Sequence, residues 1–251
     1  MCIRDREYII EMPRWRADLL HPVDLVEEVA TGIGYEDLGR ALSGQSKAGI
    51  PLQSAHLHRR IRESLQANGL QQVTSLTLSN EDDQFAKIRY QASTGVTGLH
   101  NPITVDHTIL RQSITPSLLN LLAANRHHEL PQRVYELGTV VRDHHNADRV
   151  GWACAEVGTG FTAAKGMAEA LMRDMGAHSR EISVEYEPLT ESDGGPYLAG
   201  RGAKVMVAGE WVGCCGEIDP AISELFGLKV PIHCGEFDVD ALGRLIPDPI
   251  L

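Results

Sequence analysis

The sequence predicts an α+β protein in which helices pack on a mainly antiparallel sheet. Strand-like runs follow one another with no helix between them: QRVYELGTVVR then RVGWACAEVG, and AKVMVA then WVGCCGEI. A doubly wound fold would alternate strand with helix. The helical segments between these runs open on Ser, Thr or Pro and close on Gly, the usual punctuation of helix ends. With 251 residues, 43% of them hydrophobic, the chain can fill one large core, or a core plus a small module.

Taken in order, PRWRADLL reads as a short strand leading into the helix HPVDLVEEVATGIGYEDL. Pro22 suits the first helical position, Val23, Val26, Ala30 and Ile33 recur on one face, and Gly32 and Gly34 end the helix. Small and polar residues from Ser43 to Gly49 read as a linker. This divides the chain into a module at 1–42, a linker at 43–53 and a core domain at 54–251. Ser54 is placed to cap a helix carrying Leu57, Ile61 and Leu65 inward, with Gly69 as its stop. A strand VTSLTL and a turn SNEDDQ follow. Thr115 and Pro116 open a helix bearing Leu118, Leu119, Leu122 and Ala123. Two strands then flank the polar DHHNAD, and a further helix spans Thr162 to Met175, closed by Gly176. The remainder reads as a strand EISVEYEP, a hairpin turning at Gly209 and Glu210, a short helix from Asp219–Pro220 to Gly227, and a last strand HCGEFDVD.

Composition excludes several classes. No apolar run approaches the roughly 20 residues needed to span a bilayer. The opening MCIRDREYII lacks the apolar stretch of a signal peptide, so a cytoplasmic protein is expected. Five cysteines with no C-x-x-C pair argue against a disulfide framework or zinc knuckle and for buried reduced thiols. Neighbouring Cys214 and Cys215 belong on opposite faces of a strand. The formal net charge of −11 argues against a free-standing nucleic-acid binder, which carries a basic patch. GTGFTAAKG has the wrong spacing for a phosphate-cradling Walker loop, and ESDGGPYLAG reads as a turn-rich surface loop. The pairs His127–His128 and His144–His145 lack the spacing and third ligand of a zinc site. Trp15, Trp152 and Trp211 read as core or interface aromatics.

The most informative cluster is acidic. Asp24, Glu27 and Glu28 project from one side of the first two turns of the first helix, and Asp18 lies just before it. Four carboxylates this close suit a hard cation such as magnesium. The helix macrodipole accounts for acidic residues near an N-terminus without any metal.

Three segments resemble one family. MPRWRADLLHPVDLVEEVATGIGYEDL is similar to the module preceding the core of phenylalanine–tRNA ligase beta subunits, through Arg16, Asp18, Asp24, Glu27, Glu28, Gly34 and Tyr35. NPITVDHTILRQSITPSLLNLLAANRHHELPQRVYELGTVVRD resembles the start of the archaeal and eukaryotic beta-subunit core. Asn101, Pro102, Leu110, Arg111, Leu118, Leu119, Asn125, Arg126, Leu130, Pro131, Gln132, Arg133, Glu136 and Gly138 carry that match. The tail, with its G-E-I-x-P segment and a final strand containing Glu236–Phe237, follows the family's closing pattern, although Ala199 stands where proline is usual.

The resemblance implies a class II aminoacyl-tRNA synthetase-like core preceded by a partial winged-helix-like module. It further implies magnesium held by Asp18, Asp24, Glu27 and Glu28 and completed by an alpha subunit. The holoenzyme would be a heterotetramer of two alpha and two beta chains, attaching phenylalanine to tRNA(Phe) with ATP. This chain would act there as a non-catalytic scaffold, because YELGTVVR is a degenerate echo of the motif-two strand and no G-x-G-x-x-R is present. The unfamiliar start, MCIRDR, suggests a partial copy. Two other readings remain open: a free-standing class II-like ligase activating a small carboxylic acid with ATP, and a nucleic-acid-binding module.

Overall fold

The computed structural model describes residues 9–39, 49–92 and 95–247, and the chain separates into two compact units, 1–50 and 51–251. The expected linker lies mostly outside the described residues.

In the first unit one helix is described, α1 (Pro22–Ile33), with Pro22 in its first turn and Gly34 at its C-cap at φ 97°. The expected strand through PRWRADLL is absent. Those residues form turns, with the Arg16 amide donating to the Pro13 carbonyl at 3.0 Å. The apolar stripe of α1 is real in pattern, yet Val23, Val26 and Ile33 are all more than half exposed.

The second unit is a seven-stranded sheet. Helix α2 (Gln53–Ala67) buries Ile61 and Leu65, with Ser54 inside the helix and Leu52 as its N-cap. Strands β1 (Gln71–Gln72) and β2 (Leu78–Ser79) replace the expected VTSLTL strand, and Asp82–Ala86 forms a π-helical turn where a simple turn was expected. Both residues of β2 pair with β3 (Ile109–Leu110), giving a separate two-stranded ribbon. Helix α3 (Thr115–Ala124) follows with Leu118, Leu119 and Leu122 buried.

The long strands are β4 (Gln132–Arg142) and β5 (His145–Ala155), joined by Asp143 and His144 at φ 51° and 62°. Both torsions are left-handed, as a two-residue type I′ hairpin requires. Thus most of the polar run DHHNAD belongs to β5 and only two residues turn. Helix α4 (Phe161–Asp174) and β6 (Val184–Pro188) lead to β7 (Tyr197–Val207) and β8 (Glu210–Ile218). That hairpin turns at Ala208 and Gly209, one residue earlier than the sequence suggested. Helix α5 (Pro220–Leu225), β9 (Ile232–Asp238) and α6 (Val239–Leu245) complete the unit.

The sheet order is β1-β4-β5-β9-β8-β7-β6, antiparallel throughout except for the short parallel pair β1–β4 at one edge. Helices cover both faces. On one side α2, α4 and α6 pack over Tyr135, Trp152, Cys154, Cys215 and Phe237; on the other α3 and α5 pack over Val140, Ala153, Ile218 and Cys234. Alternation along the strands produces this division. Cys154, Cys214, Cys215 and Cys234 are free and buried, and burial pushes the first three thiols up to about 12. No helix among the described residues is long and apolar enough to cross a membrane.

Candidate functional site

The acidic cluster divides into separate tasks. The Arg16 guanidinium donates to Asp18 at 2.7–3.1 Å and also contacts Glu28. Those hydrogen bonds hold the Asp18 carboxyl below its usual range and raise Arg16 further. Asp24 Oδ2 instead accepts the Leu20 and His21 amides at 2.8 and 2.7 Å, tying down the chain where it enters α1. Glu27 takes the Thr31 hydroxyl on its backbone carbonyl at 2.9 Å. Asp18 and Glu28 are therefore brought together, but by an arginine. Among the described residues no three His, Cys, Asp or Glu side chains converge as a metal would need. In this arrangement the cluster is an ion-paired helix entry.

The second unit holds a cavity of about 660 Å3 on the α3 face of the sheet. Its floor is the end of β4, the start of β5 and the facing parts of β8 and β9. Residues Gln84–Ala92 and Ser192–Gly194 form its rim. The segment read as a surface loop, ESDGGPYLAG, thus contributes a wall: Gly195 and Pro196 are buried, and Tyr197 lines the cavity. Gly194 sits at φ 67° where a Cβ would come within 2.7 Å of the Arg89 carbonyl, so the rim closes tightly only with glycine there.

Charged groups converge on this cavity from distant parts of the chain. Glu236 Oε2 accepts from the Ser113 and Thr115 hydroxyls at 2.6 and 2.7 Å and from the Ile114 and Thr115 amides at 3.0 Å, so it caps α3. Arg149 approaches Asp238 at 3.3 Å. Arg142 Nε donates to the Gln112 carbonyl at 3.0 Å. Burial, and then the neighbouring Arg149, lower the Arg142 pKa. Glu236 Oε1 and Arg149 Nε are buried without a hydrogen-bond partner.

Below the surface, Arg111 and Glu136 form an ion pair at 2.7 Å with both side chains 1% exposed. Arg111 also donates to Ser75 Oγ at 2.8 Å and to the Thr139 carbonyl at 3.1 Å, and Ser75 donates to Glu136. A Cβ on Gly138 would lie 2.6 Å from Arg111 Nη2 and 2.8 Å from Glu136 Oε1. Arg111, Glu136 and Gly138, three residues of the second matched segment, are therefore one packing unit. Arg133 points the other way, as its offset of three predicts, and pairs with Glu156 at 2.6 Å. Of the tryptophans, Trp152 is fully buried against Phe237, while Trp15 and Trp211 are largely exposed.

The acidic helix is legible in the sequence, and the cavity is not. Its charged residues come from segments spread between Arg89 and Asp238 and become neighbours only through the strand order.

An antiparallel sheet covered by helices, with a polar cavity on one face, defines the class. The chain shares the fold of a solved class II tRNA synthetase, the pyrrolysyl tRNA synthetase PylSc of Desulfitobacterium hafniense. It superposes with a TM-score of 0.59 over 76% of this chain and 65% of its own, at 18% identity. The sequence profile of the phenylalanyl tRNA synthetase beta chain CLM domain matches residues 40–239, and that of the tRNA synthetase B5 domain matches residues 3–35. The chain belongs to the phenylalanine–tRNA ligase beta subunit family. The beta subunit of Methanothrix thermoacetophila is 34% identical over 88% of this chain and 39% of its own length. That of Methanosarcina barkeri is 33% identical over 95% and 42%. This chain thus spans about two fifths of the length of such relatives.

Proposed function

We propose that this chain supports ATP-dependent attachment of phenylalanine to tRNA(Phe) as the core portion of a ligase beta subunit, scaffolding a catalytic alpha subunit. The match of residues 40–239 to the beta-chain domain carries the reading. The absence from the sequence of a glycine-rich arginine motif favours a supporting role over adenylate chemistry in this chain. Exposed Leu76, Ile103 and Val105 in the core unit supply apolar surface for a partner. In this proposal the assembly contains two alpha and two beta chains and works in the cytoplasm. Residues 1–42 act as a partial winged-helix-like module, 43–53 as a linker and 54–251 as the core.

Magnesium at Asp18, Asp24, Glu27 and Glu28 belongs to the same proposal under one condition. Arg16 must leave Asp18 and Glu28, because a guanidinium and a divalent cation compete for the same oxygens. Contact with the alpha subunit is the event proposed to move it.

The test is co-expression with an archaeal-type alpha subunit, followed by size-exclusion chromatography with magnesium. Co-elution as one species supports the scaffold reading. A chain that elutes alone at every alpha concentration overturns it.

A further inference from the structure

A second pocket lies at the opposite end of β4 and β5 from the cavity, and the scaffold role does not use it. It holds about 490 Å3. Buried Leu122, Leu228 and Ala155 line its inner part, while Leu130 and Val230 stand nearer the solvent. Among the described residues two cations, Arg126 and Lys229, line the same space, and no carboxylate does. Neither cation forms an ion pair among those residues, and both are exposed. In a chain of net charge −11 that local excess stands out. The Arg126 guanidinium reaches towards the α5 side, since a Cβ on Gly227 would lie 3.8 Å from its Nη1. Glu156, next to Ala155, is already held by Arg133 at 2.6 Å, and the exposed Glu129 and Glu224 lie outside the lining.

The walls are fixed before any ligand arrives. Gln132 Nε2 donates to the Asn125 and His128 carbonyls at 3.0 and 3.1 Å, pinning the turn that carries Arg126. The Leu228 amide donates to the Ser223 carbonyl at 2.9 Å and the Glu156 amide to the Pro231 carbonyl at 3.2 Å, which pins the segment carrying Lys229. Preorganised walls spare a ligand the entropy of ordering them. The helix macrodipole alone favours a cation just past a C-terminus, and Arg126 follows the C-cap of α3. It accounts neither for the apolar hollow nor for Lys229, which lies beyond the last turn of α5.

The volume falls among small-molecule sites, roughly 300–1,000 Å3. A polyanion would leave most of its charge against leucine, valine and alanine, and a neutral apolar molecule would leave both cations unused. A single carboxylate suits a guanidinium fork, which takes it through two parallel bonds. We propose that this pocket binds a small monocarboxylate with an apolar aliphatic body. Its carboxylate lies on Arg126 and Lys229, and its chain lies against Leu122, Leu130, Leu228 and Val230. The proposal goes beyond the scaffold reading and stands whether or not that reading holds.

Isothermal titration of the full chain with octanoate tests it, with octanol and octylammonium presenting the same chain on a neutral and a cationic head. The expected result is saturable one-to-one binding of octanoate. Octanol should bind about tenfold more weakly, the loss of roughly one charge-assisted hydrogen bond, and octylammonium more weakly still. Arg126→Gln should weaken octanoate about tenfold and leave octanol unchanged, a selective loss that a folding defect does not produce. Should that variant unfold, Lys229→Gln on its exposed turn decides by the same comparison. No saturation by octanoate below about 5 mM, octanol binding as tight as octanoate, or unaltered octanoate binding by a folded variant would each overturn the proposal.

Discussion

Replacing Arg111 by methionine isolates the buried ion pair beneath the cavity. Methionine fills much of the same volume and is flexible enough to pack. It removes the 2.7 Å bond to Glu136 and the bonds to Ser75 and the Thr139 carbonyl. Glu136, 1% exposed, is then a buried carboxylate whose remaining donor is Ser75. Breaking such a pair from one side costs about 3–5 kcal/mol, because the stranded charge has lost both water and partner. For a unit of this size that lowers the melting temperature by roughly 6–20 °C. Replacing Glu136 by leucine in the same chain removes the stranded charge and should recover most of the loss. Thermal melts and urea titrations followed by circular dichroism on the single and double variants provide the reading. A single variant within about 1 kcal/mol of the parent, or a double variant no better than the single, would refute the reasoning.

Other consequences can be measured on the same material. His233 is 2% exposed, and burial holds its pKa down at about 4 while Glu156 at 3.6 Å and Arg133 act on it more weakly in opposite directions. The unfolded chain therefore takes up this proton first, so stability should be intact above about pH 6.5 and fall towards pH 4. His233→Gln should flatten that slope in a pH series of urea melts, and an unchanged slope would assign it elsewhere. A Cβ on Gly235 would lie 2.4 Å from the Trp152 ring, so Gly235→Ala should cost about 1–3 kcal/mol by overpacking, read by calorimetry. Arg16→Ala should increase manganese binding at Asp18 and Glu28, followed by electron paramagnetic resonance. No increase would remove those carboxylates from the magnesium proposal.

The elements legible in the sequence are those whose signal is local. Strand β4 reads directly from QRVYELGTVVR, α1 from Pro22 and Gly34, and α5 from Asp219–Pro220 and Gly227. The errors fall where tertiary contacts override local pattern. Val73–Thr77 looks like a strand, and Val73 and Thr77 do bond outward, to the Tyr135 carbonyl and the Arg111 amide, but they join no continuous ladder. The β4–β5 turn is tighter than composition implied and the β7–β8 turn sits one residue earlier, because Asp143, His144 and Ala208 accept left-handed torsions usually left to Gly and Asn. At the acidic helix the sequence showed four carboxylates, yet one neighbouring arginine and two backbone amides decide what three of them do. The cavity was illegible because no short segment contains more than a fragment of it.

In the proposed function the seven-stranded unit is a docking partner for an alpha subunit. Sedimentation velocity of this chain titrated with a purified archaeal-type alpha subunit measures that directly. A saturable heavier boundary containing both chains in equal amounts is the predicted result. Two boundaries that sediment independently at all concentrations would contradict it.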